Sequence, residues 1–445
     1  MFGKSLPEGY KQTKVGVIPE EWDVVKLGDH TLKPDYGLTT SAVWERVGPK
    51  FIRITDIQDE GVDWSTVPHC HCSEREKEKY LLKKGDILIA RIGATTGKAY
   101  VFSGDEDAVF ASYLIRIKAK KDLFPSYLSQ FTHSEPYWRQ INAIKSGKLK
   151  EGINSPELQG IIIPFPPLPE QHRIATILST VDAAIAATDE VIAKTEDLKR
   201  GLMQALLTKG IDEEGRVRSE ETHVFCEKQG MQVPVEWDVI QLKDAISEKL
   251  QSGYSGPETD ENDGLRALTL TAVTENRIDI SNTKYIKADY EKVKNLFIRK
   301  NDIFIERSNT LQFVGLVALY EGDESFAIYP DILVRARAKS DLVLPKILFE
   351  IILHPRSRTY FQRSAKGTSG SMKKIDQKII GNLYLPLPPL PEQHRIAAVL
   401  STVDRDLAVE RDHRAHLQTL KKGLMQDLLT GRTRVPLNGG GPRGV

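Results

Sequence analysis

The chain has 445 residues, and since compact domains usually run to about 100–200 residues it must hold several units rather than one. Lys and Arg total 62 against 61 Asp and Glu, a formal net charge of +1, which excludes a protein that coats nucleic acid by bulk charge; any such face must be local. A hydrophobic share of 40% and a mean hydropathy of -0.34 exclude disorder as the main state.

In chain order, Met1 to Lys14 lacks the apolar core of a secretory signal. No later window approaches the roughly 18 consecutive apolar residues of a membrane helix. Only Cys70, Cys72 and Cys226 are present, so the expectation is a reducing cytoplasm and no membrane. Pro19 to Val24 (Pro-Glu-Glu-Trp-Asp-Val) opens a region that reads as strands and turns. The loop Tyr36 to Ser41 offers Tyr36, Thr39 and Thr40 as polar contacts. Phe51 to Ile57 alternates apolar and polar residues as a half-buried strand does.

His69-Cys70-His71-Cys72 invites a zinc reading. In an extended strand its two thiols face away from its two imidazoles, and no second Cys/His pair stands at finger spacing, so no metal is expected. Arg75 to Lys79 reads as a solvated helix start. Ile87 to Ile92 is a strand carrying Arg91, followed by Gly93-Ala94-Thr95-Thr96-Gly97-Lys98-Ala99. That run imitates a phosphate loop but has Ile92 where the first glycine belongs and Ala99 where Ser or Thr belongs. Arg91, Thr95 and Lys98 are instead candidate nucleic-acid contacts. Ser112 to Ile117 is a further strand, Ser126 to Phe131 a short helix, and the basic loop after it supplies Lys145, Lys148 and Lys150.

Pro166 to Ala175 (Pro-Pro-Leu-Pro-Glu-Gln-His-Arg-Ile-Ala) starts a helix: proline is tolerated in a first turn and the carboxylate meets the positive end of the dipole. Ile174, Leu178, Val181, Ile185, Thr188, Ile192 and Thr195 step by four and three, a coiled-coil seam. A helix from Glu170 to about Thr208 would span roughly 58 Å. A polyproline ligand is the alternative for Pro166 to Pro169, but a helix start explains both copies of the motif.

Both copies exist because the whole pattern recurs. Pro388 to Ala397 repeats Pro166 to Ala175 letter for letter, 222 residues later. Upstream, Pro234 to Val239 matches Pro19 to Val24 and Asn301 to Arg307 matches Gly85 to Arg91, at offsets of 215 and 216. The second copy has Tyr254 and Ser255 in its first loop. Arg307, Asn309 and Gln312 follow its central strand, as guanine and adenine readers, and Arg363, Lys366, Lys373 and Lys374 lie in its basic loop. A helix is expected over Pro345 to Leu353. Its second long helix keeps the seam through Ile396, Leu400, Val403 and Leu407, breaks it at Glu410 and Arg414, and resumes at Leu417. Pro436 to Val445 reads as a flexible tail. No cofactor motif is present, neither a dinucleotide glycine fingerprint nor the Asn/Asp-Pro-Pro-aromatic run of amino-methyltransferases, so catalysis is not expected from this chain.

Gly9 to Trp22, Lys84 to Leu88, Leu168 to Gln171 and the duplicated helix together resemble the specificity subunit of a type I DNA restriction-modification system, over essentially the full length. The resemblance implies an α+β chain with two α/β target-recognition domains joined by two long antiparallel coiled-coil helices in a pseudo-two-fold repeat. The expected boundaries are 1–160 and 213–382 for the recognition domains, 161–212 and 383–432 for the helical regions, and 433–445 for the tail. It further implies that each domain reads one half of an interrupted site on double-stranded DNA, while the helices set the spacer. The implied partners are two methyltransferase subunits and two restriction subunits, with S-adenosylmethionine, ATP and Mg on those partners and no cofactor here. Glu410 and Arg414 are expected to meet polar groups of the first helix or a partner. Asn301-Asp302, in place of Gly-Asp, predicts a different second hairpin. A protein-binding adaptor with two heads on a rod is the competing reading.

Overall fold

The computed structural model describes residues 6–58, 61–146, 152–274, 276–367 and 372–436. Two compact units emerge, one of residues 1–190 with 412–445 and the other of 191–411.

In the first unit, strand Asp23–Lys26 pairs antiparallel with Ile162–Phe165, so the module starts and finishes side by side just before the first long helix. Between them lies an antiparallel sheet in the order Asp35–Tyr36, Leu114–Ile117, Ile87–Ala90, Ala99–Val101. The strand Ile87–Ala90 is buried throughout because it separates two cores. Ile87 and Ile89 pack with Tyr127, Leu128 and Ile141 of the helices Pro125–Thr132 and Glu135–Lys145. Leu88 and Ala90 face a second cluster with Ile52, Phe102 and Phe110. Two-sided burial explains why this strand reads as an unbroken apolar run. The second sheet pairs Ala108–Phe110 parallel to Lys50–Ile52 and continues through His69–Cys70 to Ala42–Val43. Cys70 is buried there, and burial pushes its thiol up to about 12. Arg75 to Lys79 falls in the helix Glu74–Tyr80, which is capped reciprocally by Ser73 and Glu76 and buries no residue.

The second unit repeats this plan. Asp238–Gln241 pairs with Tyr384–Leu387, and Ile303–Glu306 lies between Leu333–Ala336 and Val317–Leu319. The helices Pro345–Leu353 and Pro355–Ser364 cover one face. The second central hairpin does not begin differently, contrary to expectation. Asn301 adopts φ 71° where Gly85 adopts φ 89°, because asparagine tolerates the left-handed region better than other side chains. In each copy the next residue accepts a backbone N–H three positions earlier: Asp86 from Lys83 at 3.0 Å and Asp302 from Arg299 at 2.8 Å.

Two 39-residue helices, Leu168–Leu206 and Leu390–Leu428, follow the modules. Their repeated starts are structural. Gln171 accepts the Phe124 N–H at 2.8 Å and donates to the Pro166 and Asp122 carbonyls; Gln393 does the same with Leu344, Pro388 and Leu342. Glu170 accepts the Trp22 indole N–H at 3.0 Å and Glu392 that of Trp237 at 3.1 Å. These bonds give the repeated Glu and Gln a structural role at each helix start.

Ile174, Leu178, Ile396, Leu400, Val403 and Leu407 of the expected seam are buried, whereas Val181, Ile185, Ile192 and Leu417 are half-buried. Charge takes over where burial weakens. Asp182 pairs with Lys421 at 2.6 Å and Asp189 with Arg414 in the first unit. Glu196 pairs with Arg411 and Lys199 with Asp404, both at 2.7 Å, in the second. Partners descend one helix as they ascend the other, so the packing in each unit is antiparallel. Arg414 thus does meet a polar group of the first helix. Asp404 also touches Lys346; burial alone would raise its acid, but these two ammonium groups hold it below the usual carboxylate range.

Each helix ends on a left-handed glycine beside a buried tryptophan. Gly210 has φ 70°, and a Cβ there would lie 2.1 Å from Glu392 and 2.6 Å from Trp237; Gly431 has φ 67° and would strike Pro19 at 2.4 Å. Arg218 then closes on Glu392, and Arg434 on Glu170 at 2.8 and 3.1 Å. Val435 is buried as well, so packed chain continues into the tail expected from 433. Residues 437–445 lie outside the described residues.

Candidate nucleic-acid interface

In the first module the loops at Tyr36, Tyr113 and Ile153 converge on Arg91. Its N–H donates to the Tyr113 carbonyl at 3.0 Å, and its carbonyl accepts from Ile153 at 2.8 Å. Its guanidinium lies 4.7 Å from the centroid of the Tyr36 ring, and the Tyr36 hydroxyl accepts the Ser155 N–H at 3.0 Å. Stacking of this kind fixes the plane of a guanidinium without using its hydrogen-bonding edge. Gly37 lets the loop approach: a Cβ there would lie 2.2 Å from the Phe110 carbonyl oxygen. Thr39 is exposed beyond it, and Thr40 donates to the His71 carbonyl at 3.3 Å.

The loop after Arg91 is a turn, not a phosphate cradle. Gly93 and Gly97 both have positive φ, Lys98 N–H bonds to Thr95 at 2.9 Å, and the Tyr137 hydroxyl donates to the Gly97 carbonyl at 2.8 Å. Thr95 and Lys98 are half-buried. Lys145 closes the helix Glu135–Lys145, whose Ile141 and Trp138 underlie Gly97. Lys148 and Lys150 lie outside the described residues.

The second module assembles the same constellation. Arg307 N–H donates to Ile332 at 2.9 Å, and its carbonyl accepts from Ile375 at 2.9 Å. Its guanidinium reaches the Ser252 hydroxyl at 3.3 Å, where Tyr36 stands in the first copy. Gly253 permits the same close approach, since a Cβ there would lie 1.9 Å from the Tyr329 carbonyl oxygen. Tyr254 N–H bonds to that carbonyl at 2.9 Å, and Ser255 is tied to Asp331.

Ser308–Asn309 pairs with Lys373–Lys374, and Lys366 exchanges backbone bonds with Lys374 at 2.8 and 2.9 Å. Lys366, Lys373 and Lys374 are therefore brought to the segment after Arg307. Lys366 sits 3.3 Å from Asp376, Lys373 donates to the Gly367 carbonyl, and Arg363 is exposed at the end of its helix. Asn309 is partly occupied within the protein: its Nδ2 donates to Glu306 at 2.9 Å and its Oδ1 accepts from Thr310 at 2.7 Å. Gln312 is exposed, its carbonyl held by Arg358 at 2.6 Å. Burial pushes the Glu306 carboxyl up to about 6, against the Asn309 bond and nearby Arg358.

Sequence reasoning missed Tyr113, whose carbonyl holds the Arg91 N–H, and Ser252 with Gln377, whose amide donates to the Ser252 hydroxyl at 3.2 Å. Tyr113 is exposed beside Arg91, yet in the sequence it sits inside an apolar run. Two other arginines are core residues: Arg116 bonds to Asp35 and the Leu81 carbonyl, and Arg335 to Gln251 and the Asn295 carbonyl. Among the described residues, no group of three or more His, Cys, Asp or Glu side chains could hold a metal, and no helix is long and apolar enough to cross a membrane.

The profile of the type I restriction modification DNA specificity domain matches residues 19–196 and again 234–419. The chain belongs to the type I restriction-modification specificity family. A putative specificity subunit of the type I restriction enzyme MjaX, from Methanocaldococcus jannaschii, is 26% identical over 440 residues, covering 96% of this chain and 97% of that protein. The EcoKI specificity subunit of Escherichia coli is 25% identical over 325 residues, 72% and 68% of the two chains. The crystal structure of the S subunit of a type I restriction-modification system from M. genitalium has the same fold, at TM-score 0.57 and 13% identity, covering 96% of this chain and 98% of that one. The two profile matches coincide with the duplicated modules, so the repeat read from the sequence is the family's own.

Proposed function

We propose that this specificity subunit reads an interrupted site on double-stranded DNA, one module to each half, and confers that specificity on adenine N6 methylation and on restriction. One observation carries the reading: matched loops surround Arg91 and Arg307 in both modules, each arginine fixed at its backbone and lying beside polar or basic side chains. Arginine suits the two acceptors on a guanine edge, and neighbouring lysines suit phosphates. The helices set the unread spacer and dock two methyltransferase subunits, which bring S-adenosylmethionine. Two restriction subunits supply ATP- and Mg-dependent cleavage.

Mapping N6-methyladenine across the source genome, with and without this gene, tests the proposal. A two-part motif with a fixed gap should vanish on deletion. An unchanged methylation map would reject the reading and favour the adaptor.

A further inference from the structure

The central hairpins of the two modules begin alike but end in different chemistry. In the first, the turn after Arg91 is small and polar, with half-buried Thr95 between Gly93 and Gly97 and half-buried Lys98 just after them. In the second, Leu311 is 48% exposed and Phe313 43%, while Met372 is 50% exposed. Met372 adjoins Lys373, whose strand partner is Asn309, so all three apolar residues belong to one tip. Single exposed apolar side chains need no explanation, but Leu311 and Phe313 stand two residues apart on one turn, with Met372 next to the strand paired at its base, which gathers apolar surface that water disfavours at one end of the module.

The tip is braced rather than loose. The Thr310 carbonyl accepts from both Phe313 at 3.0 Å and Val314 at 2.8 Å, and Val314 is fully buried. Helix Pro355–Ser364 holds the outer side, with Arg358 on the Gln312 and Val314 carbonyls and Gln362 on that of Leu311. Leu311 and Phe313 are thereby presented outward on a fixed turn, and Lys373 and Lys374 pair with Asn309 and Ser308 at its base. Cationic residues beside an apolar tip favour a polyanion over an ordinary protein surface. On a base edge in the major groove, the apolar feature available to such side chains is the C5-methyl group of thymine.

We propose that Leu311 and Phe313 are specificity-determining residues of the second module that recognise a thymine through its methyl group. The inference rests on the DNA-reading function proposed above and deepens it: the two halves of the site are read by different means, a polar and cationic turn in one and an apolar turn in the other.

The test uses the full chain assembled with its methyltransferase subunits, on duplexes carrying the mapped site. Each thymine of the half-site read by the second module is replaced singly by deoxyuridine, which removes only the methyl group. At one or two positions binding should weaken roughly three- to tenfold, the worth of a buried methyl contact. The same replacements in the other half-site serve as the comparison. Leu311→Ala and Phe313→Ala, at exposed positions where folding is not at stake, should bind thymine and deoxyuridine duplexes equally at the affected position. Insensitivity to deoxyuridine at every position, in a complex that still methylates its motif, would overturn the inference and leave the DNA-reading function standing. So would variants that lose affinity equally on all sequences, the mark of a non-specific wedge. Absence of any preferred motif would instead remove the underlying function.

Discussion

Arg91 and Arg307 occupy equivalent places but are oriented by different neighbours, one by the face of Tyr36 and the other by the hydroxyl of Ser252. If both read bases, Arg91→Ala and Arg307→Ala should each cost about 1–3 kcal/mol on one half-site only. Binding measured on duplexes altered in one half at a time checks this, and an equal loss on all sequences would mark phosphate contacts. Glu306 gives a second test. Its folded-state acid is raised to about 6 while its unfolded acid is ordinary. The folded protein therefore holds a costly charge once the pH exceeds about 6, and the penalty is relieved as pH falls toward 4.5. Glu306→Gln, which can still accept from Asn309, should raise stability by about 1 kcal/mol at pH 8 and leave it nearly unchanged at pH 4.5. Thermal melts at the two pH values decide. At this scale the sequence told little: nothing in a row of letters marks Arg116 and Arg335 as core residues, or shows that Asn309 spends part of its amide within its own loop.

The long helices were the most legible elements, because a 3.5-residue apolar period and a proline start are local signals. The short strands were not, since partners such as Ala108–Phe110 and Lys50–Ile52 are fixed by tertiary packing on both faces. The break at Glu410 and Arg414 looked like a defect and is in part an exchange of burial for charge. Arg414→Asp should lower stability by roughly 0.5–1.5 kcal/mol, since a half-exposed pair gives way to like charges. Asp189→Arg in the same chain should restore most of it. Denaturant midpoints of the two single variants and the double variant measure the coupling.

For the molecule as a whole, the duplication announced the architecture, with the modules diverging where loops differ and the helix starts kept constant by Trp22, Trp237, Glu170 and Glu392. The proposed spacer role makes a whole-molecule prediction. Four residues inserted after Thr188 and four more before Arg414 add roughly 6 Å of helix to each side, close to two base-pair steps. The methylated motif should then carry a gap about two base pairs longer, read from the same genome-wide map; an unaltered gap would reject the ruler.

The ion pairs between the helices bear on how the two halves came to differ. Were two first halves to pair through identical helices, the 222-residue offset would preserve the outer contact, placing Asp182 opposite Lys199. At the centre, however, Glu196 would confront Asp189. Two second halves would likewise keep Asp404 opposite Lys421 but set Arg414 against Arg411. The ends of these helices are self-complementary, as in a symmetric dimer, and their middles are not. At the centre alone, acid (Asp189, Glu196) lies on the first helix and base (Arg411, Arg414) on the second, so the central pairs favour the non-identical helix over a twin.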